Sequence, residues 1–318
     1  MRTPQVTVLM PVYNGQRFLV EAIESILAQS FKDFEFLIIN DGSKDKSEDI
    51  IKRYAKKDSR IRFISRSNKG LVATLNEGLT KTKGKFIARM DCDDVSHPER
   101  LKKQVDYMEK NKKIALLGTS FNIIDENNCA IGHSYHLDRN EDLQMEFLVR
   151  NPFGHGTVMV RREVLKSVGG YDESQAIEDY ELWWRISQKY ETANIPEELY
   201  SWRVVSGGIS HGSSEKRQKH IHNLLQRIWS ESKGPNPSVK QIKSGLSHYA
   251  SLGDGYLEQY KYLLAALCLG AYRMKKRAYA SKLSAKLLVV EPSFHNIMQD
   301  LRKNPLSHNY LLKLIYKD

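Results

Sequence analysis

Cysteine is scarce in this sequence. Cys92, Cys129 and Cys268 are the three in 318 residues, and an odd number at wide spacing builds neither a disulfide framework nor a CxxC metal site. That usage suits a reducing compartment. Long apolar runs are also missing. The strongest, 263–271, falls far short of the ~20 residues that a membrane-spanning helix needs. The first residues, MRTPQVTVLMPVYN, carry one Arg and a short apolar run. Pro11, Tyr13 and Asn14 then stand where a small-residue cleavage site would be, so the segment reads as a strand and not as a secretory signal. A cytoplasmic location is expected. The turn after the first apolar run is Pro-Val-Tyr-Asn-Gly, without the GxGxxG of a dinucleotide dehydrogenase, and no GxxxxGK[ST] phosphate loop occurs. The Gly-rich loop that nucleotidyltransferases carry at this point is absent as well. There is no internal repeat, no low-complexity segment and no recognised nucleic-acid-binding motif.

What is present is an ordinary globular composition, 41% hydrophobic and 27% charged, enough to build a core. The net charge of +11 is unevenly spread. Residues 213–318 hold 18 basic and 7 acidic side chains, and residues 1–212 hold 31 of each. All the excess positive charge thus lies in the last third, which predicts a separate module or a surface for an anionic partner.

Hydrophobic periodicity predicts alternating strands and helices in the first 112 residues. Strands are expected at 6–10, 34–39, 61–65 and 86–90. Helices are expected at 17–29, 46–56, 71–81 and from Pro98, well suited to a helix start, to about 111. This β-α-β-α order with short connections implies a doubly wound, mostly parallel α/β sheet with right-handed crossovers. Ligands on such sheets bind beyond the carboxyl ends of the strands. The three sharpest motifs, Pro11–Asn14, Asn40–Ser43 and Asp91–Asp94, all fall there. Residues 113–212 read as mixed, with strands near 115–118, 157–160 and 199–204 and helices near 163–168 and 180–188. From 213 onward the pattern is helical, at roughly 214–232, 239–251, 256–273, 277–290 and a last segment to 316, with Gly-Pro-Asn-Pro at 234–237 as punctuation.

The strongest chemical signal is Asp91-Cys92-Asp93-Asp94. Three carboxylates in four residues repel one another unless a cation or hydrogen-bond donors meet them. At the end of a buried strand they suit Mg²⁺ or Mn²⁺, which bind through one or two carboxylates together with substrate phosphate oxygens. The plainer reading is an acidic turn before the helix at Pro98. Asn40-Asp41-Gly42-Ser43 is likewise ordinary turn chemistry, and Glu178-Asp179 suits any helix start.

The motifs in order, VLMPVYNG, NDGS, MDCDD, VMVRREVLKSVGGYDE and AIEDYELWWRIS, resemble the family 2 glycosyltransferases over about residues 1–204. The resemblance implies a GT-A fold, a nucleotide-sugar donor, a divalent metal and inversion at the anomeric carbon. It implies that Pro11, Tyr13 and Asn14 line the nucleotide pocket and that Asp41 accepts a hydrogen bond from the base. Lys69, Gly70 and Asn76 would lie along the nucleotide and donor. Asp91 or Asp93 would contact the ribose, and Asp93 or Asp94 the metal. Asp179 matches the catalytic base, which takes the proton of an acceptor hydroxyl; an aspartate with the usual pKa of ~3.9 is ionised at neutral pH, as a base must be. Glu178, Trp183, Trp184 and His155 would face the acceptor. Many relatives carry an Arg-x-His near the end of the catalytic region. Here the stretch is Arg203-Val204-Val205, and His211 in GISHG stands as a substitute metal contact.

The resemblance implies a UDP-sugar donor, with a glycan, lipid-linked or glycoprotein acceptor and a role in polysaccharide or glycoprotein glycan biosynthesis. A second expectation is a non-catalytic, nucleotide-sugar-binding or scaffolding subunit of a glycosylation complex, which the retained carboxylates argue against. The organisation expected is a catalytic region at 1–212, divided into a nucleotide-sugar half (1–112) and an acceptor half (113–212), followed by a basic helical region at 213–318. In the latter Arg273, Lys275, Lys276, Arg277, Lys282 and Lys286 form the densest cluster. It is suited to peripheral contact with an anionic membrane, at its inner face, while the 263–271 stripe suits a homo-oligomer interface. Nucleic acid is not expected as a partner, since the tyrosines of this region fall at helical core spacing.

Overall fold

A computed structural model describes residues 3–205, 215–232, 237–273 and 277–290. The chain divides into two compact units, one of residues 1–131 and 153–214 and the other of residues 132–152 and 215–318.

In the first unit the strands expected from the apolar runs form β1 (Val6–Val12), β2 (Phe34–Asp41), β3 (Ile61–Arg66) and β4 (Phe86–Arg89). They alternate with α1 (Leu19–Leu27), α2 (Ser47–Lys57), α3 (Leu71–Lys81) and, after the short β5 (Val95–Ser96), α4 (Arg100–Lys110). Next in the chain come β6 (Ile114–Ile124), β7 (Ala130–Ser134), which runs into the second unit, and α5 (Asn140–Glu146), which belongs to the second unit. A 3-10 turn at His155–Thr157, β8 (Met159–Arg161), α6 (Arg162–Val168), α7 (Glu178–Ser187) and β9 (Glu191–Arg203) complete the region. The sheet runs in the order β3-β2-β1-β4-β8-β6-β9-β5. β1, β2, β3 and β4 pair in parallel, whereas β8 is antiparallel to both β4 and β6. The sheet is therefore mixed and mostly parallel, with helices on its faces, as the alternating pattern requires.

β1 and β2 are buried along their whole lengths, which explains why both read as unbroken apolar runs and not as alternating ones. Pro11 does not end β1; it lies inside it, opposite Ile39 of β2. A proline is tolerated there because pairing with β4 stops at Leu9, so no ladder on that side needs its missing N–H. The long β9 extends the expected 199–204 strand back to Glu191. Its polar residues had masked it, and it is held parallel to β6 through several register shifts.

The second unit joins 132–152 to α8 (Glu215–Glu231), α9 (Val239–Leu252), α10 (Asp254–Arg273) and α11 (Arg277–Val290). The sequence reading had grouped 132–152 with the catalytic region. The physical reason for the difference lies in its side chains. Leu137, Leu143, Met145, Phe147 and Leu148 are buried, and the polar groups of the segment pair with the helices. Trp229 donates its indole N–H to the Leu148 carbonyl at 2.9 Å, the Tyr249 hydroxyl donates to Asp142 at 2.8 Å, and His248 lies 2.9 Å from Asp138. No helix among the described residues is long and apolar enough to cross a membrane. Of the basic cluster, Lys275 and Lys276 and the side chains of Arg273 and Arg277 lie outside the described residues. Lys286 spends its ammonium on the Pro237 carbonyl at 3.1 Å.

The polar pin at the start of the sheet is Thr7, fully buried in β1. Its hydroxyl donates to Glu35 at 2.6 Å and accepts from the Gly84 N–H at 2.8 Å. Thr7→Val keeps the shape but strands the buried Gly84 N–H, while Glu35 keeps the Lys83 N–H and Arg62. A loss of about 2 kcal/mol is expected, read as a lower urea midpoint at unchanged slope.

Candidate active site

The carboxyl ends of β1, β2 and β4 carry the loops that bear the motifs. The first two loops clasp each other. Asn14, held at a φ of 51°, accepts from the Lys44 N–H at 2.8 Å through its side chain, and its own N–H donates to Ser43 Oγ at 3.0 Å. Gly15 N–H donates to Ser47 Oγ at 2.9 Å. Asn tolerates the left-handed conformation better than most residues, so the family-like Tyr-Asn-Gly is a structural choice as well. Beside it Tyr13 stands 49% exposed, an unusually open aromatic ring.

Asp41 ends β2 but is buried. Its carboxylate accepts from the Lys69 N–H at 2.8 Å and the Gly70 N–H at 3.0 Å, and it pairs with Arg66. The expectation of a carboxylate waiting for a base needs correcting: Asp41 anchors the 66–70 loop, because burial without such partners would be costly. Lys69 itself is exposed. Gly42 has a φ of +72°, and a Cβ there would meet the Asn68 backbone nitrogen at 2.5 Å, so the two loops close only over glycine.

The three carboxylates at the end of β4 have separated roles. Asp94 is 2% exposed; its Oδ2 accepts from the Tyr200 hydroxyl at 2.8 Å and its Oδ1 from the Arg203 N–H at 2.7 Å. It ties the loop to β9, and the expectation that it holds a metal is corrected on that ground. Asp91 and Asp93 remain partly accessible. Asp91 pairs with Arg89, and its backbone N–H donates to Tyr200 at 3.2 Å. Burial, and then the charge of Asp91, push the Asp93 carboxyl up to about 6. Burial and the same two neighbours push Asp94 well above the usual carboxylate range. Two neighbouring carboxylates, Asp91 and Asp93, are a donor set whose chemistry fits a divalent cation.

Arg203 does not offer a phosphate contact. Its guanidinium donates to the Asp93 carbonyl at 2.7 Å, Asn128 Oδ1 at 2.6 Å and Glu21 Oε2 at 2.8 Å, and lies 4.5 Å over the Phe18 ring. It thereby locks the end of β9, α1 and the Asp125–Asn128 turn to the loop that carries Asp93. His211 lies outside the described residues.

Glu178 and Asp179 open α7, where the helix dipole favours negative charge. Asp179 Oδ1 accepts from the Tyr180 N–H at 2.8 Å. Burial raises the pKa of the Tyr171 hydroxyl, and the charges of Arg89, Glu178, Asp179 and Asp91 act on it as well. His155 joins the group: its Nε2 lies 3.0 Å from the Tyr171 hydroxyl and its Nδ1 3.9 Å from Glu178 Oε1. Burial, and then the charge of Arg89, hold its pKa well below the ordinary value, so it is neutral.

Two further acceptor-side expectations change. Trp183 is wholly buried and Trp184 is 3% exposed, so neither has an open face for a sugar. Trp183 instead packs edge-on against His155 and Tyr171, with ring centres at 6.0 and 6.2 Å. Asn76 is no donor ligand either. Its amide donates to the Tyr171 carbonyl and accepts from the Tyr171 N–H, both at 2.9 Å. Sequence reasoning passed over Arg89 and Tyr171. The signal for Arg89 was a charge inside an otherwise apolar strand, FIARM; for Tyr171 there was none beyond its place after two glycines.

Asn76→Ala discriminates between the two assignments of that residue. Loss of both bonds is expected to lower stability by about 2 kcal/mol, read by urea denaturation. Nucleotide diphosphate affinity by calorimetry is expected to stay within about twofold.

Comparison with known proteins agrees with this geometry. The family model described as "Glycosyl transferase family 2" matches residues 7–169. The putative glycosyltransferase EpsE of Bacillus subtilis is 36% identical over 216 residues, covering 66% of this chain and 77% of that protein. Among solved structures, S. aureus TarS 1–349 in complex with UDP-GlcNAc superposes with a TM-score of 0.62 at 17% identity, over 94% of this chain and 92% of that one. The mannosyltransferase PcManGT of Pyrobaculum calidifontis, in complex with GDP-Man and Mn²⁺, gives 0.58 at 16% identity, over 96% and 89%. The mixed sheet is that of the GT-A fold, and the chain belongs to glycosyl transferase family 2.

Proposed function

We propose that the protein transfers a sugar, with inversion, from a UDP-sugar to a hydroxyl of a glycan or lipid-linked acceptor, and that it uses Mn²⁺ or Mg²⁺. The observation that carries this reading is a pair of carboxylate sets, Asp91 with Asp93 after β4 and Glu178 with Asp179 at the start of α7; the charges of Asp91, Glu178 and Asp179 all act on the buried Tyr171 hydroxyl, and His155 links that hydroxyl to Glu178 at 3.0 and 3.9 Å. One pair suits a cation and a diphosphate, the other the removal of a proton. The nucleotide-sugar complexes of TarS and PcManGT support the donor class, and the Mn²⁺ of PcManGT supports the metal.

On this reading Tyr13 offers its exposed ring to the base, and Asn14 and Asp41 hold the two loops that frame it. Lys69 reaches along the diphosphate, and Asp91 meets the ribose. Asp93 holds the cation, with Asp91 beside it. The metal supplies charge neutralisation on the departing diphosphate. Asp179 accepts the proton of the acceptor hydroxyl as that oxygen bonds to the anomeric carbon from the face opposite the leaving diphosphate. The atoms balance in one displacement: the C–O bond to the acceptor forms, the C–O bond to the diphosphate breaks, and the proton ends on Asp179. No covalent sugar–enzyme intermediate is formed.

Calorimetric titration of UDP, against GDP and dTDP, with and without Mn²⁺, tests the donor site. Metal-dependent UDP binding that Asp93→Ala abolishes is the expected result. A folded protein that binds no nucleotide diphosphate with Mn²⁺ present would overturn the catalytic reading in favour of a scaffolding one. Asp179→Asn is expected to lower kcat by about 10²–10⁴-fold with UDP affinity retained.

The pH dependence follows from Asp93. Its carboxyl, raised to about 6 by burial and Asp91, is charged above that pH and protonated below it. A cation competes with the proton. Mn²⁺ affinity in the presence of UDP is therefore expected to be level above pH ~7 and to fall by up to about tenfold per unit below pH ~6, measured by calorimetry.

A further inference from the structure

Tyr171 follows Gly169 and Gly170, both at positive φ, 86° and 72°. This loop is fixed at several points. Asn76 binds the Tyr171 backbone on both its N–H and its carbonyl, at 2.9 Å each. Arg185 donates to the Gly170 carbonyl at 2.6 Å and also reaches the Val168 carbonyl. The guanidinium is itself held by both oxygens of Glu181, at 3.0 and 2.8 Å. A Cβ on Gly170 would meet Asn76 Oδ1 at 2.8 Å, so the approach depends on glycine. So much local restraint has one visible consequence: the Tyr171 phenol sits 3.0 Å from His155 Nε2, walled by Trp183.

The direction of that hydrogen bond decides what His155 can do. His155 is neutral and carries one ring proton. The Tyr171 hydroxyl is buried, and His155 Nε2 is the acceptor the structure gives it. Were Nε2 protonated, the phenol O–H would be a buried donor without an acceptor, at a cost of about 1–3 kcal/mol. With the phenol donating, the ring proton goes to Nδ1, which faces Glu178 Oε1 at 3.9 Å. At that end a carboxylate meets a donor and not a lone pair. Both ends of the imidazole thus favour the same tautomer.

We propose that Tyr171 is a positioning residue: it holds His155 as the neutral Nδ1–H tautomer, a hydrogen-bond donor aimed at Glu178 that orients the acidic pair at the start of α7. His155 is then not a proton acceptor in the reaction. The proposal rests on the reading of Glu178-Asp179 as the proton-accepting end of the site. The separation of 3.9 Å exceeds a hydrogen bond, and a side-chain shift of about 1 Å closes it.

The test is nitrogen NMR of the histidine ring in the full-length protein without nucleotide. The expected spectrum has His155 Nδ1 in the protonated range and Nε2 in the unprotonated range. In Tyr171→Phe, which keeps the ring and its packing on Trp183, the two nitrogens are expected to move toward an averaged tautomer. Protonated Nε2 in the wild type, or an unchanged tautomer in Tyr171→Phe, would overturn the proposal. This arm needs no turnover, so it stands apart from any failure of the glycosyltransferase reading.

A second arm uses UDP release from UDP-GlcNAc as the probe. The amide nitrogen of Asn lies where Nδ1 lies in histidine, and that of Gln lies where Nε2 lies. His155→Asn is therefore expected to retain at least about tenfold more kcat than His155→Gln, a difference of about 1.4 kcal/mol in barrier, with donor KM alike. Equal kcat in the two variants, or the reverse order, would count against the donor role. Where UDP-GlcNAc is not turned over, the ring-nitrogen spectra alone decide.

Discussion

Three carboxylates in four residues at the end of β4 form a charge that the sheet must bury and hold, and much of the surrounding structure answers to it. Burying an ionised carboxylate without partners is prohibitive. The protein meets the charge unevenly. Asp94 is taken out of solvent and given the Tyr200 hydroxyl and the Arg203 N–H. Asp91 is given Arg89, a buried cation two residues back on the same strand. Asp93 is left partly accessible, its carboxyl raised to about 6 by burial and then by the charge of Asp91.

The same logic explains how distant segments are drawn into one place. Arg203, at the end of β9, binds the β4 loop, α1 and the turn at Asp125–Asn128. Arg89, paired with Asp91, also acts by its charge on Tyr171 and His155, adding to the burial that lowers the histidine pKa. Buried arginines with fixed partners serve here as struts between loops, a use for which the planar guanidinium with five donors is suited. Side chains so mounted are held by rigid elements and not by the loops alone.

Much of this architecture was legible in sequence. The apolar runs gave β1 to β4 within two residues at each end, and the spacing of Leu71, Leu75 and Leu79 gave α3 at its observed bounds. The four helices of the carboxyl-terminal third were legible for the same reason. Where the reading fell short, the apolar signal was weak or shared. β5 has two residues, β7 is largely exposed, and α5 alternates acidic and apolar side chains too briefly for a helical period to emerge. Segment 132–152 carries no mark of its partner, because burial against helices 81 to 110 residues away leaves no local pattern.

The site divides along the same line. Sequence by itself determined which chemistry was available: carboxylates at the ends of β2 and β4, an acidic pair opening a helix, and an aromatic after β1, since these are properties of residue type and strand end. Tertiary structure decided which of these groups is spent on the protein and which is left for a ligand. Asp41, Asn76, Asp94 and Trp183 match a functional pattern in sequence, yet their polar atoms or faces are consumed by neighbours. Hydrogen-bond saturation and burial depend on atoms brought together from anywhere in the chain, so no local pattern can carry them. Asp91, Asp93 and the Glu178-Asp179 pair stay only partly buried, after β4 and at the start of α7.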